Sequence, residues 1–315
     1  MAQPTNTFDS YDATGIREDL SDVITNISPE ETPFFSRTKK RKASNTYVNH
    51  LTDTLRASGD NAHIEGDDTT ADAMTAATRQ GNYTQIFKNA VVIPDTDVGL
   101  DKAGRSREIA YQTLKIAAEQ KKDVERALFL NNARVAGSST LAREMAGAPT
   151  WLTSNTVAGS GGADATGDGT DIRTDGTQAA FSQTNFDSAM QSIWENGGNP
   201  DTVYLSAFQM NVALGFTGNN NQRSSVQAGD ERVVKSLAVY VTPWGTVQFQ
   251  PSRECRGRDV HIFQDDKWEV AELRPMKNVA LSKTGDSEKR QVVYEATLLC
   301  LNEAAHGAVY DCTTS

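Results

Sequence analysis

The longest amphipathic pattern in the chain predicts a helix over residues 101–136. Its apolar positions recur at steps of four, seven and eight, with mostly polar side chains between them: Ile109, Ile116, Val124, Leu128 and Val135. No proline interrupts this stretch between Pro94 and Pro149. At a rise of 1.5 Å per residue the helix would be about 50 Å long. That length suits a spine along an elongated molecule better than an element of a compact domain.

A second helix is predicted over residues 184–196. The spacing i, i+3, i+4, i+7, i+8 is occupied by Phe186, Ala189, Met190, Ile193 and Trp194. Thr184 and Asp187 are expected to form a capping box, and the glycine pair at 197–198 to end the helix. A short strand at 202–205 and a short helix at 207–214 are expected to follow.

The last third of the chain is rich in predicted strands. Residues 239–241 and 247–250 flank a turn, and residues 259–263 and 268–273 are predicted to form a hairpin around the acidic pair 265–266. Regular alternation over residues 292–300 indicates a half-buried strand. Residues 153–183 are rich in Gly, Ser, Thr and Asp and indicate a long loop. The chain is therefore α+β, without an internal repeat.

The first ninety residues contain little that could form a core. Residues 1–35 are polar, include three prolines and predict an extended arm with a short helix near 18–24. Residues 46–51 and 82–92 predict the two strands of a long ribbon, whose tip at 52–72 carries six acidic residues and one base. Because an isolated hairpin is marginal in water, we expect it to lie on a neighbouring subunit.

Composition narrows the possible partners. The net charge of −10 argues against binding of nucleic acid by the chain as a whole. A basic cluster at 37–42 is interpreted as a solvated or partner-facing patch rather than a nucleic-acid site. No apolar run is long enough for a membrane span and the first residues do not resemble a signal peptide, so synthesis in the cytoplasm is expected. The three cysteines, Cys255, Cys300 and Cys312, match no zinc or disulfide spacing and are expected to be buried thiols.

No motif in the chain indicates catalysis, a cofactor or a metal. The four histidines stand outside any metal-binding or triad context: His50, His63, His261 and His306. The stretch 164–169 lacks the carboxylate spacing and closing Glu of a calcium loop. The four tryptophans are expected to anchor the core: Trp151, Trp194, Trp244 and Trp268. The sequence therefore predicts a protein that is not an enzyme.

Several short phrases resemble the major capsid proteins of tailed bacteriophages. They are GIREDLSDVI at 15–24, SP at 28–29, TPF at 32–34, NYTQIF at 82–87, REMAG at 143–147, WLTSN at 151–155, WENGG at 194–198, LRP at 273–275, KTGDS at 283–287, EATL at 295–298 and NE at 302–303. Their shared order spans about residues 8–312. The resemblance is thinnest at 52–78, 156–182 and 216–234.

The resemblance implies an HK97-like capsid fold, which is α+β. It divides the chain into an N-terminal arm at 1–35, an extended hairpin loop at 36–93, a peripheral domain with the spine helix at 94–150, an axial domain at 151–250 and a return to peripheral strands at 251–315. Candidate contacts between subunits lie in the arm, the basic cluster, the hairpin tip and the return strand: Arg17, Glu18, Arg37, Lys39, Lys40, Asp67, Asp68, Tyr83, Gln85 and Phe87.

The function implied is a major capsid protein whose copies form hexamers and pentamers around double-stranded DNA in the virion. Scaffolding, portal and decoration proteins are possible partners, and neither cofactors nor membrane are expected. Two alternatives stay open at this point. One is the shell of a cellular nanocompartment of the same fold, and the other is a soluble enzyme or sugar-binding protein, favoured only by the Trp and Asp content.

Overall fold

The computed structural model describes residues 31–66, 68, 71, 73–100, 108–216 and 239–314. Its helices are α1 (Pro33–Arg37), α2 (Asp95–Val98), α3 (Glu108–Phe129), α4 (Gln183–Glu195) and α5 (Ala207–Ala213). Its strands are β1 (Lys39–Lys42), β2 (Tyr47–Thr52), β3 (Thr78–Tyr83), β4 (Gln85–Pro94), β5 (Thr156–Val157), β6 (Thr202–Leu205), β7 (Val239–Thr242), β8 (Gly245–Pro251), β9 (Val260–Phe263), β10 (Trp268–Ala280), β11 (Ser287–Cys300) and β12 (Gly307–Val309).

The strands form three sheets. A four-stranded sheet has the order β1-β10-β11-β4, a six-stranded sheet has the order β5-β12-β9-β6-β8-β7, and β2 pairs with β3 alone. One apolar core includes residues of α3 and the four-stranded sheet, among them Leu128, Trp268 and Tyr294. A second core combines α4 with the six-stranded sheet and includes Phe186 and Val247. The α+β class predicted from the sequence is confirmed.

The spine helix is shorter than its sequence pattern predicts. α3 ends at Phe129 and its described 22 residues are about 33 Å long; residues 101–107 lie outside the described chain. The helix ends because the chain folds back on itself, where Gly147 donates its N–H to Asn132 and approaches Leu130 so closely that a Cβ would lie 1.9 Å from that carbonyl oxygen. Val135 therefore lies in a bridge with Glu144 instead of on a helical stripe.

The buried stripe of α3 is confirmed at Ile109, Val124 and Leu128, whereas Ile116 is only half-buried. The second predicted helix is also present, but its cap differs. The Ser182 hydroxyl accepts the N–H of Asn185 at 3.2 Å, so the helix begins ahead of the expected capping box.

The tryptophans divide into two groups. Trp151 and Trp268 are fully buried, as expected of core anchors, and Trp244 is partly buried against the second core. Trp194 is 57% exposed, so its assignment to the core was wrong. The apolar face of α4 is already completed by Phe186, Met190 and Ile193, and Trp194 lies beyond its edge. The three cysteines are buried and unpaired, as expected.

The segment from 259 to 273 is not the hairpin that its sequence predicts. β9 pairs with β6 and β12, whereas β10 pairs with β1 and β11, so the turn between them connects two sheets. The Asp265 carboxylate holds that turn against β6 by accepting hydrogen bonds from Thr202 and Tyr204 at 2.9 and 3.1 Å.

The strand β11 is confirmed, but from Val292 onward it is buried on both faces rather than on one. The polar positions of its alternation, such as Glu295, lie under the base of the hairpin. Among the described helices, none has both the length and the apolar character that a membrane span requires.

The hairpin has a different return strand from the predicted one. β2 pairs with β3 from Tyr47 opposite Tyr83 to Thr52 opposite Thr78, whereas β4 pairs with β11. The chain leaves the hairpin at Thr84, whose N–H is donated to Thr46 and whose hydroxyl is donated to Glu295 at 2.8 Å. These two bonds divide the predicted return strand 82–92 between two sheets.

Candidate intersubunit contact surfaces

The root of the N-terminal arm is fixed to the spine helix by one buried carboxylate. Glu125 of α3 accepts the N–H of Phe34 at 3.0 Å and that of Phe35 at 2.7 Å. These amides belong to the first turn of α1, where backbone N–H groups have no partner within the helix. The Ser252 hydroxyl is 3.4 Å from the same carboxylate. The first turn of α1 is therefore held against the spine helix.

Glu125 is fully buried, and this burial raises the pKa of its carboxyl to about 7. The hydrogen bonds from the two amides and Ser252 oppose the shift, and the nearby Glu254 adds to it. The sequence search missed this residue. The sequence feature that could have identified Glu125 is its spacing of three residues from Leu128, which places its carboxylate beside the apolar stripe of α3.

The root of the hairpin is held by a buried amide. The Asn82 side chain donates to the carbonyls of Ala146 and Leu298 at 3.2 and 2.8 Å and accepts the N–H of Ala146 at 3.0 Å. The adjacent Gly81 lies so close to β2 that a Cβ would be 2.6 Å from the carbonyl oxygen of Val48. The root thus packs on its own chain, so the expected contact with a neighbouring subunit concerns only the part of the hairpin beyond it.

A second polar contact secures the same region. Buried Glu295 accepts hydrogen bonds from Arg143 at 2.5 Å, from Arg274 at 2.6 Å and from Thr84 at 2.8 Å. It joins the loop after α3, the strand β10 and the bend that ends the hairpin. Three donors around one carboxylate satisfy its charge away from water.

Beyond its root, the hairpin is exposed to solvent. All residues from 53 to 66 are exposed and form no strand. Leu55 and Ile64 are 99% and 83% exposed, and Met74 on the returning side is also exposed. Asp68 is exposed, and Asp67 lies outside the described residues. Apolar side chains presented together with acids on a projecting segment are typical of a contact surface.

The basic cluster forms the edge strand β1. All four of its residues, Lys39 to Lys42, are exposed, and the strand runs parallel to β10 with Lys39 opposite Glu269. The ammonium group of Lys40 lies 4.2 Å from the centre of the Phe35 ring. Arg41 forms an ion pair with Glu269 at 3.4 Å. The cluster is therefore an ordered, cationic sheet edge.

The other predicted contact residues differ in availability. Arg37 is used within the chain, because its guanidinium donates to Thr202 at 3.1 Å and to Gln248 at 2.9 Å. Tyr83 is half-buried against Tyr47, with 4.8 Å between ring centres. Gln85 accepts the N–H of Met145 at 3.2 Å, and Phe87 is buried in the first core. Arg17 and Glu18 lie outside the described residues.

The buried titratable groups serve packing. Burial lowers the pKa of His261 and of His306 to about 3 in each case, so both rings are neutral at physiological pH. Burial alone would raise the pKa of Asp311, but hydrogen bonds from Arg173 and two backbone amides outweigh it and hold the pKa at about 2. That carboxylate ties the glycine-rich loop after β5 to the end of the chain through Gly159 and Gly176.

Comparison with known proteins gives consistent matches over the whole chain. The family model for SU10 major capsid protein matches residues 3–313. The major capsid protein of Escherichia phage Phieco32 is 26% identical over 346 residues, covering 98% of each chain. Both matches include the arm, the hairpin and the strands at the end of the chain.

Solved capsids have the same fold. The capsid of cyanophage A-1(L) matches with a TM-score of 0.64 and 10% identity, covering 98% of this chain and 99% of that one. A structure of phage G with its gp27 major capsid proteins and gp26 decoration proteins matches with a TM-score of 0.57 and 12% identity, covering 99% and 100%. The HK97-like capsid fold expected from the sequence is therefore confirmed.

Proposed function

The chain belongs to the SU10 major capsid protein family, and from that premise we propose how its surfaces build a shell. It is a major capsid protein of a tailed phage, so its copies form the protein wall of the virion. In our proposal the copies assemble as hexamers and pentamers of an icosahedral lattice that encloses the double-stranded DNA genome. Contact with DNA is not sequence-specific, in keeping with the net charge of −10.

The proposal assigns each region a place in the shell. Residues 1–35 are the arm, 36–93 the extended hairpin, 94–150 a peripheral domain around α3, 151–250 an axial domain at the capsomer centre, and 251–315 strands that return to the peripheral domain. The two apolar cores support the separation of the peripheral and axial domains, because one contains α3 and β11 while the other contains α4 and β8. In the last region only β10 and β11 return to the sheet beside α3, since β9 and β12 belong to the six-stranded sheet. The chain is made in the bacterial cytoplasm.

The exposed hairpin tip is the observation that carries the proposal. A subunit in isolation leaves Leu55 and Ile64 in water although its root is rigidly fixed by Asn82. Burying apolar surface is the main favourable term in protein association. We therefore assign the hairpin the function of binding a neighbouring copy, which covers its tip. We assign the arm, the basic edge strand and the hairpin to contacts between copies, with Arg17, Glu18, Lys39, Lys40, Asp67 and Asp68 as their polar members.

Other virion proteins enter the proposal by class only. A scaffolding protein, a portal and a decoration protein are expected to meet the assembled lattice, as gp26 decoration proteins accompany the capsid of phage G. Neither a cofactor nor a membrane has a part in the proposed assembly. The shell-building role is structural and requires no catalytic group.

Deleting residues 2–30 tests the role of the arm. The deletion ends before Phe34, Phe35 and their partner Glu125, so the root of the arm keeps its contacts with the core. We expect a soluble, folded subunit that assembles poorly, measured by thermal melting and by light scattering during assembly. Unfolding of the truncated subunit would show that the arm belongs to the core, and assembly at the wild-type rate would show that it has no role between copies.

A further inference from the structure

The strand β1 has one open edge. It lies at the end of the four-stranded sheet, pairs with β10 on one side, and has no strand of the described chain on the other. Such an edge presents a row of N–H and C=O groups that can accept a further strand. The strand is short, from Lys39 to Lys42, and the chain enters it directly from the fixed root of the arm.

Both faces of this edge are cationic. Because side chains alternate across a strand, Lys39 and Arg41 lie on one face and Lys40 and Lys42 on the other. Arg41 is paired with Glu269, and the Lys39 ammonium reaches only a backbone carbonyl, that of Asp266, at 3.5 Å. Within the described part of the chain, neither Lys40 nor Lys42 forms an ion pair. A strand added here would need acidic side chains on both of its own faces.

The chain itself contains a segment with these properties. Pairing in the hairpin stops at Thr52 and Thr78, and residues 53–66 continue as exposed chain that forms no strand. Acids in that segment occupy both odd and even positions: Asp53, Asp60 and Glu65. Arg56 is the one basic residue among positions 52–72 apart from a histidine. The segment therefore offers backbone groups and negative charge on both faces.

We propose that the hairpin tip of a second copy adds to β1 as the fifth strand of the four-stranded sheet. This inference rests on the proposed shell function and specifies how one of its contacts is made. Backbone hydrogen bonds give the contact its strength, and the opposite charges of the two segments select the partner. A lysine-rich edge without a partner would instead serve only to prevent aggregation, which is the competing explanation that an experiment must exclude.

Hydrogen–deuterium exchange on the full-length chain tests the inference, comparing dissociated subunits with assembled particles. We expect the amides of 39–42 and of 53–66 to exchange roughly tenfold more slowly, or slower still, in particles. The long β10–β11 hairpin is the internal control, because its amides are already paired within the subunit. Particles in which β1 exchanges as fast as in subunits would overturn the inference. Protection of β1 without protection of 53–66 would also overturn it, because another segment would then occupy the edge.

Charge reversal identifies the partner. Lys40→Glu with Lys42→Glu should slow assembly and abolish the added protection, whereas Lys115→Glu with Lys121→Glu, on exposed positions of α3, should not. Adding Asp60→Lys and Glu65→Lys to the first variant should restore part of the rate if the tip meets β1. No restoration would exclude the hairpin tip as occupant. Failure of the wild-type chain to form particles would instead refute the proposed shell function itself.

Discussion

Replacing Glu125 by Gln should change the pH dependence of subunit stability. Burial raises the pKa of this carboxyl from 4.5 to about 7. A group with a raised folded-state pKa contributes stability that is fully present below its unfolded pKa and is lost as pH rises through the folded value. One unit of pKa corresponds to 1.36 kcal/mol, so the wild-type chain should lose about 3 kcal/mol between pH 4.5 and pH 8 from this group.

The Glu125→Gln variant cannot ionise and should lack this loss. It also loses one of the two acceptors for the amides of Phe34 and Phe35, which costs about 1–3 kcal/mol at every pH. The variant should therefore be less stable than the wild type at pH 5 and should recover about 3 kcal/mol relative to it by pH 8. Asp259 and Asp265, whose pKa values burial also raises, titrate in both proteins and cancel in the difference.

Urea unfolding of dissociated subunits, followed by the fluorescence of buried Trp151 and Trp268, measures the difference at each pH. The matched control is Glu119→Gln, which removes a carboxylate from an exposed turn of the same helix and leaves the contacts of the arm root intact. If the Glu125→Gln difference is constant from pH 5 to pH 8, burial does not raise the pKa of the Glu125 carboxyl, and the account of the arm root is refuted.

The remaining predictions concern the spine helix and the hairpin root, and thermal melting of subunits tests both. Leu128→Ala should cost about 2–5 kcal/mol because Leu128 is fully buried, while Lys115→Ala should stay within about half a kcal/mol; equal losses would contradict the assigned faces. Asn82→Ala should cost about 3 kcal/mol, since it leaves buried backbone groups of Ala146 and Leu298 without partners. A melting temperature equal to that of the wild type would show that water replaces the amide.

Local periodicity correctly predicted the helices and strands that are defined by the spacing of apolar residues within the element itself. The helix at 184–196, the strand at 202–205 and the two strands around 242–245 need only nearby apolar positions, and all are present. The spine helix was overestimated at its end, because the stripe continues to Val135 while the chain turns at Leu130 to meet Gly147. That close approach depends on residues seventeen positions apart, which helical spacing cannot encode.

The pairing of strands that are distant in the sequence was the least predictable feature of the fold. Residues 259–273 have the composition of a hairpin, but the Asp265 carboxylate accepts hydrogen bonds from Thr202 and Tyr204. The two strands on either side of it therefore belong to different sheets. The return strand of the long hairpin was predicted at the wrong residues for a similar reason. The chain bends at Thr84, whose hydroxyl donates to Glu295, 211 positions away. The composition of a turn predicts that the chain reverses there, but it does not predict which strand the next segment pairs with.

The candidate contact residues show the same limit. Charge runs in the sequence identified the basic strand and the acidic tip, and both are exposed where they are described. Arg37 and Phe87 are residue types that are common in contact surfaces, but neither is available here. Arg37 donates hydrogen bonds to Thr202 and Gln248, and Phe87 is buried in the first core. Glu125 was missed because a carboxylate in a helix is ordinarily solvated, and only the backbone of the arm gives it a buried role.

Negative-stain electron microscopy of the expressed full-length chain tests the central claim most directly. Its copies should form closed, icosahedral shells, or tubes and sheets of the same capsomers, because the exposed hairpin with Leu55 and Ile64 needs a neighbouring copy to cover it. The deletion of residues 2–30, prepared in parallel, should yield few such particles. A uniform small oligomer of the wild-type chain at every protein concentration and ionic strength would contradict the assignment of these surfaces to a shell.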